Sequence, residues 1–332
     1  MFEIIFLGTS ASAPSARRGL SAQVVKHDEH RFLIDCGEGT QRQILQAGIG
    51  FKRLNTILIT HGHLDHILGL AGLLSTFLRW EAIDRLDIYA ASGALDRIRD
   101  LLYGVVLRGT RPPMPLNMHA VDAGVFFEGK DFTVSAFPVQ HRGNDCLGYL
   151  FEEKSRRPFL PEKAEALGIP QGKIRKELVS GQAVTLPDGR VIQPDEVLGP
   201  LKRGTRLVHV GDVGNTDSLL TVVQDADTLV IESTYLDEEA DMAKQFGHMT
   251  AKQAAELAVR AGVRQLVLTH ISRRYREKQV QEEARSIFPN TLVARDFDVV
   301  QSFGPEAGQE SAASLQHVRI SPDEDVEKDP EE

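Results

Sequence analysis

Through the first 300 residues, short apolar runs rich in Ile, Val, Leu and Phe alternate with stretches whose apolar positions recur at helical spacing. Strand-like runs occupy 3–8, 22–26, 31–35, 56–60, 86–90, 132–137 and 147–151. A second set occupies 206–210, 228–231, 265–269 and 291–294. Helices are predicted over 40–47, 68–78, 94–102, 216–224, 250–261 and 275–287. Such alternation predicts an α/β protein with helices layered on sheets.

The pattern breaks between about 154 and 205. Pro158, Pro161, Pro170, Pro187, Pro194 and Pro200 fall there among several glycines, and long apolar runs are few, so this stretch reads as an arm inserted into the body. Between 154 and 206 eleven lysines and arginines outnumber the acids. The expected organisation is one domain over 1–303 carrying this arm, then a tail over 304–332. Nine acids face only Arg319 and Lys328 in that tail, so it holds about −7 of the net charge of −9. It is poor in aromatic residues and is expected to be disordered.

The net charge alone would argue against a polyanionic partner, but with the tail set aside the remainder is close to neutral. With 332 residues, 42% of them hydrophobic and 26% charged, the chain can bury a sizeable core. No membrane span is predicted. Glu3 stands where a signal peptide would carry positive charge, so a cytoplasmic location is expected. Cys36 and Cys146 are the only cysteines, which excludes a disulfide framework.

The strongest chemical signal follows the run 56–60: Thr60-His61-Gly62-His63-Leu64-Asp65-His66. Three imidazoles and one carboxylate within six residues, on a turn between strand and helix, suit Zn²⁺, whose preferred donors they are. Further ligand types stand at other strand ends: His141 beyond 132–137, Asp212 in Val-Gly-Asp beyond 206–210, and His270 closing 265–269. Strand ends along one sheet edge lie side by side, so these residues converge. Asp212 has two carboxylate oxygens and could bridge two ions.

These residues resemble the metallo-β-lactamase superfamily, whose αββα sandwich holds a binuclear site. Phe6-Leu7-Gly8-Thr9, Asp35-Cys36-Gly37-Glu38-Gly39-Thr40-Gln41, Gly69-Leu70-Ala71-Gly72-Leu73-Leu74 and Leu268-Thr269-His270-Ile271-Ser272-Arg273-Arg274-Tyr275 narrow the resemblance to the ribonuclease Z family of tRNA 3′-end endonucleases. It spans about residues 2–302. The segments Gly168-Ile169-Pro170-Gln171-Gly172-Lys173 and Val184-Thr185-Leu186-Pro187-Asp188-Gly189-Arg190 look like that family's flexible tRNA-clamping arm.

Carried over, the resemblance implies an αββα fold with an inserted flexible arm and two Zn²⁺ per subunit, with Mn²⁺ or Fe²⁺ as other occupants. His61, His63, His141 and Asp212 would hold one ion; Asp65, His66, Asp212 and His270 would hold the other. It further implies Asp65 as general base, with Glu232 and His248 on the leaving-group side, a precursor tRNA substrate and a homodimer. Leu64, Gly214, Ile231 and Gly19 depart from the family pattern, all outside the ligand set.

Arg17, Arg18, Lys173, Arg175, Lys176, Arg273, Arg274 and Arg276 are candidates for phosphate contacts. Three competing readings remain open. One is a phosphodiesterase on the same scaffold acting on another RNA or a small phosphodiester, for which a basic arm has little use. Another is a non-catalytic RNA-binding relative, against which all seven ligand positions are retained. A β-lactamase or thiolesterase would explain the metal turn and neither the arm nor the Gly-Glu-Gly-Thr-Gln segment.

Overall fold

The computed structural model describes residues 1–143 and 145–304; the acidic tail beyond Gly304 lies outside the described residues. Two compact units emerge: Met1–Glu152 with the chain from Thr205 onward, and Glu153–Gly204 between them.

In the larger unit the strands before the insertion are β1 (Phe2–Gly8), β2 (Ala22–His27), β3 (His30–Ile34), β4 (Thr56–Leu58), β5 (Leu86–Ala90), β6 (Leu116–Ala120), β7 (Gly124–Glu128), β8 (Phe132–Pro138) and β9 (Leu147–Glu153). The smaller unit contributes a hairpin of β10 (Val184–Thr185) and β11 (Val191–Ile192). After it come β12 (Arg206–His209), β13 (Thr228–Glu232), β14 (Gln265–Thr269), β15 (Thr291–Val293) and β16 (Val299–Ser302).

Two seven-stranded sheets result, ordered β16-β1-β2-β3-β4-β5-β6 and β15-β14-β13-β12-β9-β8-β7. Strand alternation shows how they are covered. Phe2, Ile4 and Phe6 of β1 pack in one cluster with Phe132, Tyr149, Phe151, Leu207, Val230 and Val267 of the other sheet, so these side chains fill the space between the sheets. Ile5 and Leu7, on the opposite face of β1, pack with Leu70, Leu73, Leu74 and Phe77 of the helix Gly69–Trp80. On the second sheet Val208, Leu229, Ile231, Leu266 and Leu268 likewise meet Ala251, Ala254, Ala255 and Ala258 of the helix Ala251–Arg260. Helix, sheet, sheet, helix is the αββα sandwich. Strands buried on both faces read as continuous apolar runs, which is why most were legible in the sequence.

β6, β7, β10, β11 and β16 were not predicted. β6 and β7 are half-exposed, with few contiguous apolar residues, and β7 carries a register shift between Val125 and Phe127. β16 is four residues long and is held by antiparallel pairing with β1, a long-range partner that no local pattern announces. The helix Ser92–Arg99 continues as a π-helical turn, Asp100–Leu107, beyond its predicted end.

The smaller unit has its own core of Ala164, Ile169, Leu178, Val184, Leu186, Ile192 and Val197. Short helices Pro161–Ala166, Lys173–Val179 and Pro194–Val197 and the β10–β11 hairpin build it. Pro161 and Pro194 open their helices at the position where a missing N–H costs nothing.

Candidate metal centre

β3, β4 and β5 run parallel, as do β12, β13 and β14, and their C-terminal ends carry the chemistry. Asp35 follows β3, the His61–His66 turn follows β4, Asp212 follows β12, Glu232 closes β13 and His270 follows β14. His141 follows β8, which ends on the same edge.

The metal turn is held from beneath by the Asp35-Cys36-Gly37 segment. Cys36 N–H donates to the His66 carbonyl at 2.7 Å, and Gly69 N–H donates to the Cys36 carbonyl at 2.9 Å. At Gly69 a Cβ would fall 2.0 Å from the Gly37 carbonyl oxygen, and at Gly37 one would fall 2.5 Å from that of Asp65. Glycine at both places permits this close backbone approach.

Asp212 stands at the centre, buried to 3% exposure. Its Oδ2 is 3.6 Å from His61 Nε2 and 3.8 Å from His141 Nε2; its Oδ1 is 3.5 Å from His66 Nε2 and 3.4 Å from His270 Nε2. Asp65 Oδ2 lies 3.5 Å from His270 Nε2 and 3.8 Å from His66 Nε2. His63 Nδ1 comes within 2.9 Å of His61 Nε2. The donor atoms thus form a group of His61, His63, His141 and Asp212 beside one of Asp65, His66 and His270. All seven sequence-predicted ligands meet in one place. Asp212 gives one oxygen to each side.

Apart from His61 Nε2 and His63 Nδ1, which lie within hydrogen-bond distance, these atoms converge without satisfying one another. His66 Nε2, His141 Nε2, His270 Nε2 and Asp212 Oδ1 are buried and have no hydrogen-bond partner. Four orphaned polar atoms around one point are costly in a protein interior unless a cation accepts their lone pairs. The imidazole and carboxylate donor set therefore fits divalent metal binding.

The outward ring nitrogens are held. His66 Nδ1 lies 2.7 Å from Asp35 Oδ2, His141 Nδ1 2.5 Å from the Gly247 carbonyl, His270 Nδ1 2.9 Å from Thr234 Oγ1 and His61 Nδ1 3.1 Å from Thr60 Oγ1. Such partners fix the tautomer that presents Nε2 inward. Burial pushes the pKa values of His61, His63 and His141 down, favouring the neutral imidazole that can ligate. At His66 burial also acts downward, but the Asp212 and Asp35 carboxylates prevail and raise it. At Asp65 burial acts upward, while the adjacent His270 and His66 imidazoles hold the carboxyl well below the usual range.

Beside Asp212, His248 Nδ1 lies 3.0 Å from Glu232 Oε1 and 3.8 Å from Asp212 Oδ2. Glu232 is 1% exposed, and it also accepts from Val213 N–H at 2.7 Å and from Thr234 Oγ1. Burial pushes His248 down, but Glu232 outweighs it and lifts the imidazolium pKa to about 9.

Asp35, Thr234, Gly247 and Ser12 contact the predicted ligands and were not assigned by sequence reasoning. Ser12 N–H donates to Asp65 Oδ2 at 3.0 Å. The only advance signal was that Asp35 opens a recognised motif and Thr234 follows Glu232 by two. Replacing Asp35 by alanine frees the His66 ring and strands the Thr60 N–H that Asp35 accepts at 2.8 Å. Metal affinity should fall on the order of 10–100-fold, read by competition titration with a zinc chelator.

The proposed phosphate-contact residues divide. Arg18 turns inward, donating to Thr9 Oγ1 at 2.6 Å and the Ala294 carbonyl at 2.5 Å and pairing with Glu277 at 3.1 Å. Arg175 donates to the Ile169 carbonyl and lies over the Phe159 ring within the smaller unit. Lys173 is exposed and faces Glu177 at 3.6 Å; Lys176 and Arg273 are exposed.

Comparison with known proteins agrees with this geometry. A ribonuclease Z of Bradyrhizobium diazoefficiens is 47% identical over 90% of this chain and 99% of its own length. The chain belongs to the ribonuclease Z family. A ribonuclease Z of Gemmatimonas aurantiaca is 42% identical over 88% of the chain and 93% of its own length. The family model for a beta-lactamase superfamily domain matches residues 182–271, and that for the Anti-Pycsar protein Apyc1 matches 2–157. Among solved structures, human tRNase Z, short form, is similar with a TM-score of 0.64 and 26% identity, over 90% of this chain and 99% of that one. A diphosphatase of the PhnP family shares the fold at a TM-score of 0.62 and 18% identity.

Proposed function

We propose that this member of the ribonuclease Z family is a metal-dependent endoribonuclease that removes the 3′ trailer from precursor tRNA. The observation that carries the reading is the convergence of seven ligand side chains about Asp212, with an imidazolium held beside them. His61, His63, His141 and Asp212 would hold one ion, and Asp65, His66, Asp212 and His270 the other. Two Zn²⁺ fit the imidazole and carboxylate donors, and Mn²⁺ or Fe²⁺ can bind the same set.

When bound, paired cations supply Lewis acidity to an attacking water and neutralise charge developing on the phosphodiester. Asp65 is anchored through Oδ2 by Ser12 N–H, and takes the proton from the attacking water. His248, charged and oriented by Glu232, donates a proton to the departing ribose oxygen. Glu232 also reaches His270 through Thr234, so one buried carboxylate positions both the acid and a ligand.

Lys173, Lys176 and Arg273 present exposed charge for RNA phosphates; Arg18 acts by supporting its loop. The family resemblance also supports an arm at about 154–205 that clamps tRNA, a homodimer and a cytoplasmic location. No helix among the described residues is long and apolar enough to cross a membrane.

The reading is tested by stripping the protein with a chelator and adding zinc back. Cleavage of a 3′-extended precursor tRNA should vanish and return fully at about two equivalents per chain. Cleavage that survives stripping, or that returns fully at one equivalent, contradicts it.

A further inference from the structure

The metal-ligand cluster opens on its His61–His63 side into a cavity of about 190 Å³, lined by His61, His63, Arg97, Arg142, Asp145 and Cys146 among others. Neither arginine belongs to the ligand set or to the groups holding it. Arg97 lies in the helix Ser92–Arg99, and its stem is pressed against the metal turn: a Cβ at Gly62 would fall 3.2 Å from Arg97 Cδ. Arg142 directly follows His141, and its guanidinium lies over the Phe246 ring at 5.0 Å. Its Cγ would be 3.2 Å from a Cβ at Gly247, the residue whose carbonyl holds His141 and which precedes His248.

Both side chains are exposed, and among the described residues no carboxylate pairs with either guanidinium. The acid in the lining is Asp145, whose carboxylate is turned to the first turn of the helix Ser92–Arg99, 2.1 Å from where a Cβ on Gly93 would stand. That position complements the helix dipole. Two guanidinium groups with no carboxylate partner among the described residues therefore line a hollow that begins at two imidazoles of the cluster. Guanidinium presents planar, paired donors that match phosphate oxygens.

We infer that this cavity seats a phosphodiester of the RNA chain adjacent to the scissile one, with Arg97 and Arg142 as its binding residues. This rests on the endoribonuclease reading and adds to it a direction: the chain leaves the metals across the His61–His63 side, past the His248 loop.

The test compares wild type, Arg97→Gln, Arg142→Gln, Arg97→Lys and the distant exposed control Arg260→Gln on precursor tRNA, measuring KM, kcat and the salt dependence of KM. Each glutamine variant should raise KM about tenfold, leave kcat within about twofold, and flatten the log–log salt slope by about 0.7, the loss of one phosphate contact on a single strand. Arg97→Lys should keep the salt slope, and Arg260→Gln should match wild type. Wild-type cleavage with KM and slope unchanged in both glutamine variants overturns the inference and leaves the endoribonuclease reading standing. An uncut precursor with the wild-type protein overturns that reading, and this one with it.

Discussion

Replacing Asp212 by alanine should abolish phosphodiester cleavage, by a factor on the order of 10⁴, and bring bound zinc down from two ions per chain to one or fewer. The reason is its central position: one carboxylate lies within 3.4–3.8 Å of His61, His66, His141 and His270 and is the only ligand with an oxygen toward each group. Removing it does more than delete one bond. His66 and His270 lose the charge that faces their inward nitrogens, and the carboxylate of Asp65 alone remains on that side. Asp212→Asn keeps the shape and one oxygen acceptor, so it should retain more metal than alanine while losing most of the activity. The measurements are metal analysis after gel filtration and single-turnover cleavage. Two zinc ions retained in the alanine variant would contradict the bridging role.

The second large effect concerns His248. His248→Ala should lower kcat on the order of 10²–10⁴-fold with metal content unchanged, because in the proposed mechanism the imidazolium meets the departing oxygen and both proposed ligand sets are complete without it. The pH dependence carries the sign. Burial alone would favour the neutral ring, but Glu232 at 3.0 Å raises its pKa to about 9. As a general acid His248 must be protonated, so its contribution to kcat holds through neutral pH and declines as pH rises through about 9. Glu232→Gln removes the charge that lifts the ring most and leaves the Asp212 carboxylate at 3.8 Å against burial. The alkaline limb should then move to lower pH. An alkaline limb that stays in place in Glu232→Gln would show that another group sets it.

Much of this was legible before the fold was known, for a physical reason. Ligands in the His61–His66 turn are neighbours in sequence, and His141, Asp212 and His270 each stand at the end of an apolar run, so parallel strands deliver them to one edge. The supporting groups gave no such sign. Asp35 reaches His66 across 31 residues, Gly247 reaches His141 across 106, and Thr234 reaches His270 across 36. These are tertiary contacts made by ordinary residue types.

The departures from the family pattern also have physical settings that only the structure supplies. A side chain at Gly214 would lie about 3.0 Å from the Gly247 backbone, and Gly247 holds His141, so the small residue there suits the close approach of these loops. Ile231 is fully buried in the core under the helix Ala251–Arg260. Gly19 packs against Gln43 and Asp296, the group to which its own N–H donates at 2.6 Å. Leu64 is exposed at the start of the short helix Leu64–Ile67 and leaves Asp65 and His66 in place. Arg18, which sequence reasoning offered as a surface contact, is half-buried and held by Glu277, a partner 259 residues away. Local charge reveals that an arginine is present, and the partner that claims it is a property of the fold.

The most direct test is to map the products of a 5′-labelled, 3′-extended precursor tRNA incubated with the zinc-loaded protein, alongside Asp65→Asn. The account predicts one new 3′ end at the boundary between acceptor stem and trailer, an intact released trailer, and neither product with the variant. A ladder of progressively shortened ends, or an uncut precursor under conditions where the same protein hydrolyses a small phosphodiester, would contradict it.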